Sequence, residues 1–274
     1  MFNAPKPRWW LYVLLTILLL LVITPFLWMV LGSFKTQNEL LRDPPTWLPE
    51  LWTLDNYQRL FDRLSFGRYF ANSTIVAVAV TVGNLLFSSM LGYALAHLKY
   101  PGKNVIFAAV LGTLMVPGLV LFIPQFVLIV NMGLANTLPA LMLPFLVQPF
   151  GVFLMRQFFL GLPAELKEAG RIDGVGEIGI FFRIYLPLAI PAFATLGILT
   201  FLGSWNNFLW PLVVATTEQS YTLPVALALV STGQNQTDYG LLMAGATIVV
   251  TPILLVFLFF QRFFIEGVAT TGIK

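Results

Sequence analysis

Long apolar runs alternate with short polar segments from one end of the chain to the other. Residues 9–31, 72–96, 186–214 and 239–260 carry no charged side chain. A helix needs roughly 20 apolar residues to cross about 30 Å of hydrocarbon, so each run predicts one membrane span. Residues 104–155 extend the charge-free pattern over about 52 positions, long enough for two more. The most turn-prone point in that stretch is Asn131-Met132-Gly133-Leu134-Ala135-Asn136. A break there gives spans near 105–130 and 137–155. The pattern therefore predicts an all-α polytopic membrane protein with six transmembrane helices, forming a single domain over 1–274. Lys6 and Arg8 precede the first run as in a signal peptide. That run continues through Pro25 and Trp28 without a small-residue cleavage site, so a retained first helix is expected.

Composition sharpens the class. Hydrophobic residues make up 58% of the chain and charged residues 10%, against about a quarter charged in soluble domains. Mean hydropathy is +0.85. These values exclude a disordered chain and an ordinary soluble enzyme. There are no cysteines, which removes disulfides, thiol catalysis and thiolate metal sites. The single histidine, His97, sits at the inner end of the second span, where an interfacial or core role outweighs a catalytic one. A net charge of +3, spread along the chain, gives no footprint for nucleic acid.

Lys and Arg distribution predicts orientation. With both termini cytoplasmic, the inner segments hold Lys6, Arg8, Lys99, Lys103, Arg156, Lys167, Arg171, Arg183, Arg262 and Lys274. The outer cations, Lys35, Arg42, Arg59, Arg63 and Arg68, share one loop with Glu39, Asp43, Glu50, Asp55 and Asp62. No Asp, Glu, Lys or Arg lies inside the six predicted spans. That weakens a proton- or sodium-driven carrier without excluding one, since sodium sites can be built from carbonyls. A stand-alone secondary carrier stays open as the rival class. No GxxxxGK[ST] phosphate loop occurs, so ATP-driven transport would need a separate nucleotide-binding subunit. Pro25, Pro117, Pro124, Pro139, Pro144, Pro149 and Pro252 lie in or beside apolar stretches and predict broken helices around a pathway.

The cytoplasmic loop 161–185 carries the most chemistry. Pro163 suits a first helical turn, Glu165 complements a helix N-terminus, and Gly174 suits the residue just past a helix end. A helix of about three turns is expected between them. Glu168-Ala169-Gly170, then three residues, Gly174, nine residues, Ile184, one residue and Leu186-Pro187 resembles the "EAA" loop of ABC importer permeases. Gly170 stands where many members have alanine. The segment Phe201-Leu202-Gly203-Ser204-Trp205-Asn206-Asn207-Phe208-Leu209-Trp210-Pro211-Leu212 is similar to carbohydrate-importer permeases of the maltose-system type. Ser33-Phe34-Lys35-Thr36, Tyr100-Pro101-Gly102 and Gln261-Arg262-Phe263-Phe264 are similar to the same group, and the compact length resembles its smaller permease.

The resemblance implies a type I ABC importer permease of a bacterial inner or plasma membrane. It implies three kinds of partner: a second permease completing a heterodimer, two copies of a nucleotide-binding ATPase subunit, and an extracytoplasmic solute-binding protein. ATP and magnesium would bind to the ATPase subunits, and this chain would perform no covalent chemistry. Glu168, Ala169, Gly170, Asp173, Gly174, Leu186 and Pro187 would form the loop that docks on the ATPase. The 266–274 tail would reach the ATPase dimer. The implied solute is a sugar or oligosaccharide, with glycerol 3-phosphate or a glycerophosphodiester as the nearest alternative.

An oligosaccharide needs amides for its hydroxyls and aromatic faces for its rings. Trp205, Asn206, Asn207 and Trp210 supply both within six residues, and Asn84, Ser88, Ser89 and Tyr93 give span two a polar stripe at roughly helical spacing. Asn84, Tyr93, Trp205, Asn206, Asn207 and Trp210 are therefore candidate pathway residues. The same residues also suit bonds between helices or an interfacial aromatic belt. The outer loop with Glu218, Gln219, Tyr221, Gln234, Asn235, Gln236 and Asp238 suits either binding-protein docking or simple solvation.

Overall fold

The computed structural model of the chain describes residues 9–63, 65–231 and 237–270. In chain order its helices are α1 (Trp9–Gly32), α2 (Gln37–Leu40), α3 (Asp55–Arg63), α4 (Phe66–His97), α5 (Lys103–Leu114) and α6 (Gly118–Asn131). Then come α7 (Leu138–Met142) with a 3-10 turn at Leu143–Phe145, α8 (Pro149–Leu160), α9 (Glu165–Ile172), and α10 (Glu177–Ile180) with a π turn at Phe181–Tyr185. The chain closes with α11 (Leu186–Leu188), α12 (Ile190–Trp205), α13 (Leu209–Val214), a 3-10 turn at Glu218–Ser220, α14 (Leu223–Ser231) and α15 (Tyr239–Thr270). An all-helical membrane fold follows from the bilayer, where each backbone polar group must be satisfied within its own segment.

Among the described residues, three helices are long and apolar enough to cross a membrane unaided: Trp9–Gly32, Phe66–His97 and Tyr239–Phe259. Up to three more spans are bent pairs. Lys103–Leu114 meets Gly118–Asn131 at 105°, Leu138–Phe145 meets Pro149–Leu160 at 43°, and Glu177–Leu188 meets Ile190–Trp205 at 80°. Proline has no N–H and pushes the preceding residue out of the helical region. Accordingly Pro117 stands at the N-cap of α6, Pro149 opens α8 after an extended Gln148, and Pro191 sits in the first turn of α12. Pro25, Pro124 and Pro252 instead lie inside helices.

The boundaries differ from the charge-free windows. The apolar helix of the fifth span ends at Trp205, not 214, because the chain breaks through Asn206–Phe208 before α13. α8 runs past 155 to Leu160 and includes Arg156. That cation is tolerated because its Nε donates to Leu95 O at 3.2 Å and its guanidinium lies 3.7 Å from the Phe107 ring centre.

The chain divides into two compact units, Met1–Phe66 with Leu227–Thr251, and Gly67–Ala226 with Pro252–Lys274. In the first, α1 leaves nearly all its apolar side chains from Trp9 to Val30 exposed, as a helix facing lipid or another chain does. The polar end of this unit is tied together by buried charge. The Lys35 ammonium donates to Thr46 O and Oγ1, and the Thr46 hydroxyl donates to Glu39 Oε1 at 2.6 Å. Glu39 also accepts from the Glu50 N–H at 3.0 Å. Burial pushes the Glu39 carboxyl up, but these two donors and the Lys35 and Arg42 cations outweigh it and hold its pKa below the ordinary value.

In the second unit, two cores organise the packing. One gathers Tyr93, Met155, Phe159, Phe181, Tyr185 and Leu196; the other gathers Val76, Val80, Ile129, Leu141, Trp210 and Val214. Between α4 and α8 the backbones approach closely. A Cβ on Gly92 would lie 2.9 Å from Arg156 N, and one on Gly151 would lie 2.9 Å from Ser88 Oγ. Small residues at such crossings let membrane helices pack by contact where no hydrophobic driving force exists between them.

Candidate functional site

α9 is an eight-residue helix of about two turns, shorter than the three expected, because the chain enters it only at Glu165. Its end is built by Gly174, which adopts φ +74°. The Gly174 N–H donates to Arg171 O at 3.0 Å, and the Val175 N–H donates to Gly170 O at 2.9 Å. This paired arrangement is a Schellman cap, which favours glycine at the left-handed position. Glu168, Ala169, Asp173 and Gly174 are all exposed on α9 or its cap, together with Ile172, which is 86% exposed. Gly170 faces the other way and is buried; a Cβ there would meet Ile184 Cδ1 at 2.9 Å and Ile180 Cγ1 at 3.0 Å. Leu186 is half-buried against the Tyr93 core, and Pro187 is exposed at the edge of an apolar cavity of about 640 Å³ with Leu85, Ile190 and Phe193.

One carboxylate fastens α9 to the membrane helices. Glu177 accepts from the Tyr93 hydroxyl of α4 at 3.1 Å and pairs with Lys167 at 3.2 Å through Oε2. Its Oε1 pairs with Arg171 at 2.5 Å. Lys167 is buried and also donates to His97 O, the last residue of α4, at 2.9 Å. Below this knot Tyr93, Phe159, Phe181 and Tyr185 pack ring against ring at 5.0–6.4 Å. α9 is thus an exposed polar helix whose inner side is anchored to α4 by charge and to α10 by close packing. Sequence reasoning passed over Lys167, Arg171 and Glu177, since nothing local marks two cations and an acid ten residues on as one cluster.

The candidate pathway residues separate into different roles. Asn84 is fully buried: its amide donates to Thr200 Oγ1 at 2.8 Å and its oxygen accepts from Ser88 Oγ at 2.6 Å and Gln148 N at 3.0 Å. Tyr93 is committed to Glu177 and the aromatic core. Trp210 donates its Nε1–H to Ala140 O at 3.0 Å and packs beside Phe122 and Phe145. Trp205 is buried, stacked on Phe201 at 5.7 Å. Asn206 is exposed and donates to Leu202 O of its own helix at 2.9 Å. Asn207 and Trp210 both line an open cleft, with Thr113, Gln125, Gln148 and Phe122, and of the two only Asn207 has a side chain without a bonded partner there among the described residues. The structure joins Asn84 and Tyr93 to helix packing and leaves Asn207 facing space.

Of the outer-loop residues, Gln234, Asn235 and Gln236 lie outside the described residues, as do 271–274 of the tail. Asp238 pairs with Arg59 at 2.6 Å.

Residues 85–270 match the family described as binding-protein-dependent transport system inner membrane component. The chain is 42% identical to the arabinooligosaccharides transport system permease protein AraQ of Halalkalibacterium halodurans, over 99% of this chain and 98% of that protein. It is 37% identical to the diacetylchitobiose uptake system permease protein NgcG of Streptomyces coelicolor, over 92% and 84% respectively. A crystal structure of a bacterial ABC transporter involved in the import of the acidic polysaccharide alginate has a chain with the same fold. It superposes at a TM-score of 0.85 with 24% identity, covering 96% of this chain and 99% of that one.

Proposed function

Because the chain belongs to the binding-protein-dependent transport system inner membrane components, we propose that it is the permease subunit of an ATP-driven importer for a sugar or oligosaccharide. The observation that carries the reading is similarity along nearly the whole chain to permeases named for oligosaccharides. In this reading the chain spans the inner membrane with both termini cytoplasmic and forms half of a heterodimeric pore. Two ATPase subunits bind ATP and magnesium, and a solute-binding protein delivers the sugar from outside.

α9 is the docking element. Its exposed side, with Glu168, Ala169, Ile172, Asp173 and Gly174, meets a groove of the ATPase, and its buried side passes the movement to α4 through Glu177, Lys167 and Tyr93. ATP binding closes the ATPase pair, the α9 loops follow, and the pore opens outward to receive solute; hydrolysis reverses the change. Two discrete arrangements of packed helices are what such coupling requires.

The test is purification of the tagged chain in mild detergent from native membranes, with stoichiometric partners identified by mass. A second permease and a nucleotide-binding subunit are expected. Glu168→Lys and Gly174→Asp should leave the protein in the membrane and abolish uptake. Recovery of the chain alone, active in uptake, would overturn the ATP-driven reading in favour of a secondary carrier.

A further inference from the structure

Two breaks in the membrane helices and the end of the fifth span open on one cleft. The third span breaks between α5 and α6 beside Thr113, the fourth breaks at Gln148 ahead of α8, and the fifth span ends at Trp205, with Asn207 in the turn before α13. The space they enclose is about 620 Å³, within the roughly 300–1,000 Å³ of small-molecule sites. Phe122 and Trp210 stand in its walls, and none of the described residues lining it is charged.

Its polar lining is Thr113 and three side-chain amides, Gln125, Gln148 and Asn207, drawn from three different spans. Among the described residues, no hydrogen bond satisfies any of these three side chains; Gln148 engages only through its backbone N–H, which donates to Asn84. Asn72, Asn84 and Asn136, in the same unit, are each bonded to neighbouring segments. An amide without a partner is costly in hydrocarbon, and irregular backbone at membrane depth is tolerated where it lines a wet cavity. Three unbonded amides gather where two helix breaks and one helix end meet, the setting in which irregular backbone at membrane depth lines a wet cavity.

We propose that this cleft is a saccharide subsite within this chain, in which Gln125, Gln148 and Asn207 bond sugar hydroxyls and Phe122 offers an apolar face to the ring. The proposal rests on the importer reading above and adds to it. The absence of charge in the lining selects a neutral, hydroxyl-rich solute over one bearing phosphate.

The chain has no native cysteine, which permits a direct test. Gln125→Cys, Gln148→Cys and Asn207→Cys are assembled singly into the full transporter with cysteine-free partner subunits, reconstituted, and exposed to a membrane-impermeant methanethiosulfonate. Leu128→Cys, on an exposed apolar position of α6 outside the cleft, is the control. All three thiols should react about tenfold faster than the control. Arabinotriose or diacetylchitobiose, whichever the unmodified complex imports, should slow that reaction about fivefold, as expected for losing access to a hydrogen-bonded solute. Glycerol 3-phosphate should not slow it. Thiols inert both without nucleotide and with ATP would show the amides packed against another subunit and overturn the proposal. So would reaction without protection by an imported sugar, or protection by glycerol 3-phosphate instead. Stimulation of ATP hydrolysis by the binding protein in the unmodified complex scores the importer reading separately, before any thiol is probed.

Discussion

Replacing Glu177 by alanine isolates the join between α9 and the membrane helices. The carboxylate holds the Tyr93 hydroxyl, whose residue is 4% exposed, and Lys167, whose side chain is 11% exposed. Leaving a buried hydroxyl without its acceptor costs about 1–3 kcal/mol, and a lost bond to a charged group about 1.5–3 kcal/mol. Lys167 keeps His97 O as a partner, which places its share at the low end. The Arg171 side chain is 60% exposed, and an exposed pair contributes about 0–1 kcal/mol. Glu177→Ala should therefore destabilise the unit by about 3 kcal/mol, and Glu177→Gln, which still accepts from Tyr93, by about 1 kcal/mol. The assay is the denaturant midpoint of the purified complex, run as a double-mutant cycle with Tyr93→Phe. A coupling of about 1 kcal/mol between the two positions is expected. If α9 couples an ATPase to α4 as proposed, sugar uptake per ATP hydrolysed should fall with stability. If Glu177→Ala unfolds with the wild type and the two substitutions simply add, the carboxylate is not the join.

Other positions give independent checks. Gly174→Val places a β-branched residue at φ +74° and should cost about 1–2 kcal/mol in the loop, seen as lost uptake with normal insertion into the membrane. Gly170→Ala sets about 1 kcal/mol of helix propensity against crowding of Ile180 and Ile184, so its unfolding midpoint should stay near wild type, whereas Gly170→Val should lose about 2 kcal/mol. Asn84→Leu leaves Thr200, Ser88 and the Gln148 N–H without their shared amide. A loss of about 1–2 kcal/mol is expected by the same measurement, given the modest worth of bonds between membrane helices. The folded-state pKa of Glu39 lies below its ordinary 4.5, so its contribution to stability is complete above that value. It disappears as pH falls from about 4.5 through the lowered folded value. Tryptophan fluorescence from Trp28 and Trp47, packed 5.2 Å apart, should report an acid transition that Glu39→Gln flattens; an unchanged transition would count against the Lys35–Glu39–Thr46 network.

The all-helical membrane character was legible in the sequence, because crossing a bilayer demands uninterrupted apolar length and that demand is one-dimensional. The cap at Gly174 was legible for a similar reason, since glycine past a helix end is a local backbone requirement. Proline marked two of the three bends, at Pro117 and Pro149, while Pro25, Pro124 and Pro252 lie inside helices, and the angles of 43°, 80° and 105° depend on what each half-helix packs against. Side-chain roles escaped the sequence more completely. Asn84 and Asn207 read alike as amides in apolar runs, yet one is enclosed by α4, α8 and α12 and the other looks into a cleft. Gln125 and Gln148 stand beside prolines in otherwise apolar stretches, and only the convergence of three broken spans brings them together with Asn207. The same holds for Tyr93 and Glu177, joined across 84 residues. Hydrophobic patterning is set residue by residue against lipid, whereas a polar group's role is decided by which other polar groups reach it, and that is a property of the tertiary structure.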